Sequence, residues 1–400
     1  MNDDSNNQKK SSPKKNIEHI SSLDNETPSK KIKLNDDNII KKNDNEEDYL
    51  IKEKKNRFYC FNKNCDHKKY YPRWYDKNII DLKEVNNLKD LIKLGEYYHC
   101  RMRRYYNNID LKLLFSIKNY LIDLDSMIGL QNIKEEVVNL IIYLLIIKNS
   151  NKGLNAEMFH TVITGMPGCG KTTFIEILAK IYTRIGILKY GHIVKVKRSD
   201  LIGKYLGHTA VQTQKKIDEA KDGILLIDEA YSLGNPEGRD SFSKECLDTL
   251  NQALSENKDS FICIIAGYKN ALENSFFSYN EGLRRRFPFR FDIEKYNYKE
   301  LSEILMKKII EYDYYEIKFT NDELIKLIKE NNKFFINQGG DMETLFLNIK
   351  ITHNKRVFLL PTKEKYYLYL NDIIQSIDKF IKLKGDFIEK NQSLLSSIYI

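Results

Sequence analysis

The 400-residue sequence has no cysteine framework. Its six cysteines are scattered without paired spacings, which excludes a disulfide-stapled scaffold and predicts an intracellular, reducing compartment, cytoplasm or nucleus. It also lacks an apolar run that could span a bilayer. The longest, VVNLIIYLLII at 137–147, is too short and follows an acidic pair, so it predicts a core helix and no membrane partner. The N-terminus is polar and charged, without the apolar stretch of a secretory leader. No internal repeat is visible. Charge of one sign is not abundant either: the net charge of +9 rests mostly on lysine mixed with acids, which permits a nucleic-acid partner without arguing for one. Residues 1–50 are rich in Asn, Asp, Lys and Ser with almost no aromatics. Such a stretch cannot bury enough apolar surface to order itself, so a disordered tail is expected.

What is present is enough apolar content, 42%, for two or three domains with a sizeable core. Aromatics return at 51–120, in FYCFNKNCDHKKYYPRWYD and LGEYYHCRMRRYY, which predicts a small ordered N-terminal region. Within it Cys60, Cys65, His67 and Cys100, with His99, make a candidate zinc site. The C-x4-C-x-H spacing is not a common finger pattern, and buried thiols among packed aromatics explain the same residues. Residues 121–295 alternate strand-like and helix-like segments, the pattern of an α/β domain with a parallel sheet. Residues 296–400 have helical periodicity with one strand-like stretch near their middle.

The strongest chemistry lies in HTVITGMPGCGKTT at 160–173. β-favouring residues lead into Gly165 and a helical pattern begins after Thr173, so G-x-x-x-x-G-K-T sits at the strand-to-helix turn that a phosphate loop requires. Gly165, Gly168 and Gly170 let the backbone curl around phosphate oxygens, with Met166, Pro167, Cys169 and Thr173 completing the loop. Lys171 is placed to neutralise the β and γ phosphates of ATP, and Thr172 to ligate magnesium. The thiol of Cys169, next to a helix N-terminus and Lys171, is expected to titrate below a free cysteine. Downstream, ILLIDE at 224–229 reads as a strand buried on both faces that ends in two carboxylates. Asp228 is the expected magnesium-shell ligand and Glu229 the group that polarises the attacking water.

With MIGLQNIKEEV (127–137), YGHIVKVKRSDLIGKYLGHTA (190–210), GILLIDEAYSL (223–233), IIAGYKN (264–270) and GLRRRFPFRF (282–291) in order, the chain resembles the AAA+ ATPases of the CbbX and stage V sporulation protein K type over roughly 121–360. The resemblance implies an α/β P-loop module with a five-stranded parallel sheet and a C-terminal helical lid. It also implies a ring oligomer, usually a hexamer, with ATP at subunit interfaces and remodelling of another macromolecule through a central pore. By the same resemblance Ile128 and Gly129 pack on adenine, and Arg284 and Arg286 stand where a neighbour's arginine finger originates, Arg286 being favoured. A polar sensor falls at Tyr268 or Asn270. The lid reads GGDM at 339–342, which puts Met342 where a nucleotide-sensing arginine would stand and leaves Lys350 or Arg356 as substitutes. Tyr205 and Leu206, flanked by glycine, match the pore loop that grips extended peptide. The expected client is a protein; RMRRYY at 101–106 keeps nucleic acid as the alternative.

Overall fold

Described in the computed structural model are residues 82–398 except 83, 99–104, 108, 149–156, 206, 235–239, 258 and 313–314, with side chains to residue 384. The expected tail at 1–50 and the zinc candidates Cys60, Cys65, His67, His99 and Cys100 lie outside the described residues. Helices α1 (Leu88–Glu96) and α2 (Leu111–Asp125) flank a short antiparallel ribbon, β1 (Tyr105–Tyr106) with β2 (Ile109–Asp110), and α3 (Gln131–Lys148) follows. The chain then alternates: β3 (Thr161–Gly165), α4 (Lys171–Ile185), β4 (Ile193–Val196), α5 (Arg198–Leu201), α6 (His208–Glu219), β5 (Ile224–Asp228), α7 (Ser241–Glu256), β6 (Ile262–Gly267), α8 (Glu281–Arg286) and β7 (Phe289–Ile293). These five strands form one parallel sheet in the order β4–β5–β6–β3–β7.

The near-continuous apolar strands are explained by cores on both faces of the sheet. Side chains alternate across a strand, and here the alternation sorts them into two clusters. Ile224, Leu226, Ile262, Ile264 and Ala266 face the core built with α1–α4. Leu225, Ile227, Cys263 and Ile265 face the core built with Ile217 of α6 and Cys246, Leu247 and Leu250 of α7. α1, which precedes residue 120, and α2, which runs across it, therefore share a core with the sheet. Their close approach is set at Gly95, where a Cβ would stand 3.1 Å from the Leu114 backbone.

A third core belongs to the C-terminal helices α9 (Tyr298–Glu311), α10 (Asn321–Glu330), α11 (Gly339–Val357) and α12 (Leu370–Ile398), joined by the parallel pair β8 (Glu316–Ile317) and β9 (Tyr367–Leu368). Capping boxes start two of these helices, Asn297 with Glu300 at α9 and Thr320 with Glu323 at α10. α11 has no side-chain cap. Its Gly339 N–H donates instead to the Gly168 carbonyl, 3.1 Å away in the loop after β3. No helix among the described residues is long and apolar enough to cross a membrane.

His160, fully buried just before β3, shows how completely this interior excludes charge. Its Nδ1 accepts from the Cys263 N–H at 3.0 Å, so Nε2 carries the proton toward the Leu254 carbonyl at 3.3 Å. Burial, with a smaller contribution from nearby Arg286, pushes its pKa down to about 4 from 6.5. Because the folded-state value lies below the unfolded one, the stabilisation is present above pH 6.5 and is lost as pH falls toward 4, on the order of 3 kcal/mol in all. Thermal melts between pH 7 and pH 5 should show a smaller loss of Tm for His160→Gln than for the native chain; equal losses would assign the acid sensitivity to other groups.

Candidate functional site

The loop between β3 and α4 forms the floor of a cavity of about 640 Å³, within the range of small-molecule sites. α4 begins at Lys171 behind Gly170, whose φ of 89° is left-handed and whose position provides no side-chain cap. The first-turn N–H groups of α4 are therefore left for anionic oxygens, and the helix dipole adds to them. Lys171 folds over the loop, its Nζ donating to the Gly165 carbonyl at 2.9 Å and the Met166 carbonyl at 2.8 Å. Gly165, Pro167, Gly168, Gly170, Lys171, Thr172 and Thr173 all line the cavity, whereas Met166 and Cys169 do not.

Cys169 overturns the expectation of a reactive thiolate. Only 1% of it is exposed, and burial raises its pKa against the opposing influence of Lys171, whose Nζ is 3.9 Å from Sγ. A helix terminus and a lysine lower a thiol pKa only where the thiol keeps contact with water. Here desolvation outweighs them. The other described cysteines, Cys246 and Cys263, are also buried and free, and burial raises both.

The ends of β5 and β6 form the opposite wall. Asp228 and Glu229 both line the cavity, and Lys195 on the neighbouring strand β4 lies 3.0 Å from Asp228. Thr172 and Asp228 supply the hard oxygen donors that magnesium takes, so the residues present fit that ion. Glu229 has a left-handed φ of 55° at the start of the 3₁₀ turn Ala230–Leu233. Tyr231 in that turn has its pKa raised by burial and by the nearby Glu229 carboxylate. Its ring is 5.6 Å from that of Tyr268. Of the two sensor candidates Tyr268 lines the cavity, while Asn270 is exposed in the turn beyond it and does not.

Arg198 of α5 links this wall to the loop that follows α5. Its guanidinium donates to the Ser232 carbonyl at 2.7 Å, and to Ser243 and the Asp240 carboxylate at the start of α7. Burial opposes ionisation of Asp240, but Arg198 and Ser243 outweigh it and bring the pKa down to about 2. Beyond α5, Tyr205 presents a 68% exposed ring, packed edge-on to His208 at 5.5 Å. Gly203 has no room for a Cβ, which would meet His208 at 2.7 Å, whereas Gly207 at φ +80° stands free of neighbours. Leu206 lies outside the described residues.

Several candidate residues do not line the cavity. Ile128 and Gly129 are half-buried beside the cavity without lining it. From that segment it is the Met127 methyl that approaches Gly170, 3.2 Å from where a Cβ would be. Tyr296 intervenes: its hydroxyl donates to the Cys169 carbonyl at 3.0 Å, burial pushes its pKa up to about 12, and it lines both this cavity and a smaller one bounded by Leu130 and Glu300. Arg284 and Arg286 close α8 at the sheet edge opposite Gly165, where β7 pairs its Phe289 with Thr161. No arginine is among the described residues that line the cavity. Arg284 pairs with Glu273, and Arg286 Nε donates to Asn251 at 2.8 Å.

In the lid, Met342 is fully buried in the third core. Lys350 lies over Phe346 at 4.9 Å, and Arg356 is bound to Asp372 at 2.7 Å; neither lines the cavity. The lid residues that do are Tyr296, Ile304, Lys308, Gly339, Gly340 and Glu343. Sequence reasoning missed all but the glycine pair, which GGDM displays. Among the described residues no cluster of three or more His, Cys, Asp or Glu side chains could hold a metal ion.

Comparison with known proteins agrees with this geometry. Residues 161–295 match the family "ATPase family associated with various cellular activities (AAA)". The chain is 42% identical over 303 residues to a cfxQ-like protein of Acanthamoeba polyphaga mimivirus, covering 74% of this chain and 73% of that one. It is 37% identical to Protein CfxQ of Xanthobacter flavus, over 52% of this chain and 67% of that one. It is 34% identical to Stage V sporulation protein K of Bacillus subtilis, over 48% of this chain and 60% of that one. A phosphate loop at a strand-to-helix turn, paired carboxylates at the end of a strand in the same parallel sheet, and kinship over most of the mimivirus protein lead to one assignment: the chain belongs to the AAA+ ATPases of the CfxQ/CbbX and stage V sporulation protein K type.

Proposed function

We propose that the chain hydrolyses ATP in the cavity above the β3–α4 loop and uses the cycle to pull a protein client through the centre of a ring of its own copies, a hexamer. The observation that carries the client-handling part is Tyr205, a large ring held out in solvent between a tightly packed glycine and a free one. An aromatic in that position grips extended peptide with little dependence on sequence.

In this reading Lys171 and the first-turn N–H groups of α4 hold the phosphates, exchanging the loop carbonyls that Lys171 now contacts for phosphate oxygens. Thr172 and Asp228 would hold magnesium, which would supply charge neutralisation for the phosphates. Glu229 takes the proton of the attacking water, with the Tyr231 phenol near its carboxylate. The arginines at the end of α8 stand away from their own chain's cavity, which supports supply of a finger to the next subunit. Arg286 suits that role better than Arg284, whose guanidinium is paired with Glu273 and lies 5.8 Å from the Phe277 ring.

Tyr205→Ala should keep basal ATP turnover within about twofold of the native chain, since the ring touches no nucleotide-binding group, yet abolish stimulation by unfolded polypeptide. Stimulation of the native chain by single-stranded DNA or RNA, with polypeptide inert, would replace the protein client by nucleic acid.

A further inference from the structure

Of the described lid residues that line the cavity, Lys308 on α9 is the one cation. Its Nζ lies 2.9 Å from Glu343 Oε1 on α11, and Glu343 lines the cavity too. The pair is open to water, the two side chains being 29% and 68% exposed. Ion pairs so exposed contribute little to holding elements together. The two helices are already joined by Leu301, Leu305, Met342 and Leu345 in the lid core, so a clip at this point is superfluous. What the pair does is hold an ammonium group on the lid side of a cavity whose floor is built for phosphate. Glu343 sits one helical turn, about 5.4 Å, along α11 from Gly339, the residue hydrogen-bonded to the phosphate loop at Gly168.

Resting on the reading of this cavity as the ATP site, we propose that Lys308 is the lid's phosphate ligand, and that Glu343 stores it and competes with the nucleotide for it. The other candidates on the lid are committed elsewhere: Met342 to the core, Lys350 to two aromatic rings, Arg356 to Asp372 and the Tyr367 carbonyl. A triphosphate carries more charge than one carboxylate, so the ammonium transfers to it when ATP binds. Because the lysine belongs to α9 and the carboxylate to α11, the exchange registers nucleotide binding as a change in the contact between two lid helices.

The test is titration of the full chain with mant-ATP and mant-ADP in the presence of magnesium. Lys308→Met should weaken ATP binding at least about tenfold, as for loss of a charged hydrogen bond, and weaken ADP binding less. Lys308→Arg should retain most of the native affinity. Glu343→Gln should tighten binding of both nucleotides, because the competing carboxylate is gone. Native affinities in Lys308→Met would overturn the proposal. So would weakening by Glu343→Gln in parallel with Lys308→Met, since that is the behaviour of a clip between helices. Lys171→Ala separates the two levels of inference: if it binds mant-ATP as tightly as the native chain, the cavity itself is not the ATP site.

Discussion

Glu229→Gln should slow ATP turnover at least about a hundredfold, the scale of removing a general base, while leaving ATP binding intact. The side chain lies at the end of β5, outside the loop that holds phosphate, and a glutamine is the same size. The carboxylate's charge and basicity are lost. Single-turnover assays beside mant-ATP titrations check both halves. Native turnover would remove Glu229 from the role of base and pass it to Asp228, the other carboxylate of that wall. A fall in affinity as large as the fall in rate would mean that the residue serves binding.

The second large effect is expected at Gly168, where phosphate loop and lid meet backbone to backbone. A Cβ added there would lie 2.2 Å from the Asn337 carbonyl oxygen and 2.7 Å from the Gly340 nitrogen, with no flexible side chain to yield. Its φ of +71° adds about 1–2 kcal/mol of strain for any residue with a Cβ. Gly168→Ala should therefore push α11 off the loop, break the Gly339 hydrogen bond and reduce ATP affinity at least about tenfold. The lid has its own core, so it should stay folded. Nucleotide titration paired with circular dichroism distinguishes this from global unfolding. Native affinity in the variant would show that the contact does not shape the nucleotide site.

What was legible in the sequence and what was not divides along a physical line. The phosphate loop and the β5 carboxylates are local: a run of β-favouring residues, a glycine turn and a helix specify Lys171 and Thr172 within fourteen consecutive residues, and the strand ILLID carries its own carboxylate to the same sheet edge. The five-stranded parallel sheet and the lid came with the family resemblance, whose motifs stand in the right sequence order. The lid's hold on the site was illegible, because it is made by juxtaposition alone. Tyr296 reaches the Cys169 carbonyl across 127 positions of chain, and nothing around Lys308 marks one lysine of α9 over its neighbours. Cys169 was misread for a related reason. Its sequence neighbours raise acidity, but its neighbours in space, Gly165 among them with room for only 2.8 Å between Sγ and a Cβ, remove the water that acidity needs. The boundary at residue 120 likewise follows the start of the strand-helix alternation and not the packing, since Leu121 and Leu124 continue the apolar face begun by Leu114 and Ile117.

Arg198 gives the molecule a mechanical property. The segment that ends in Tyr205 carries Arg198, whose guanidinium fastens it to the turn that follows Glu229 at the Ser232 carbonyl and to the start of α7 at Asp240 and Ser243. That anchor is half-buried and charge-assisted, so it yields far less readily than the solvent-exposed loop tip it supports. In the reading proposed above, tension applied to the Tyr205 ring would be borne in part at the turn that follows Glu229. A pull on Tyr205 would thus reach the residues beside the general base through the Arg198 side chain.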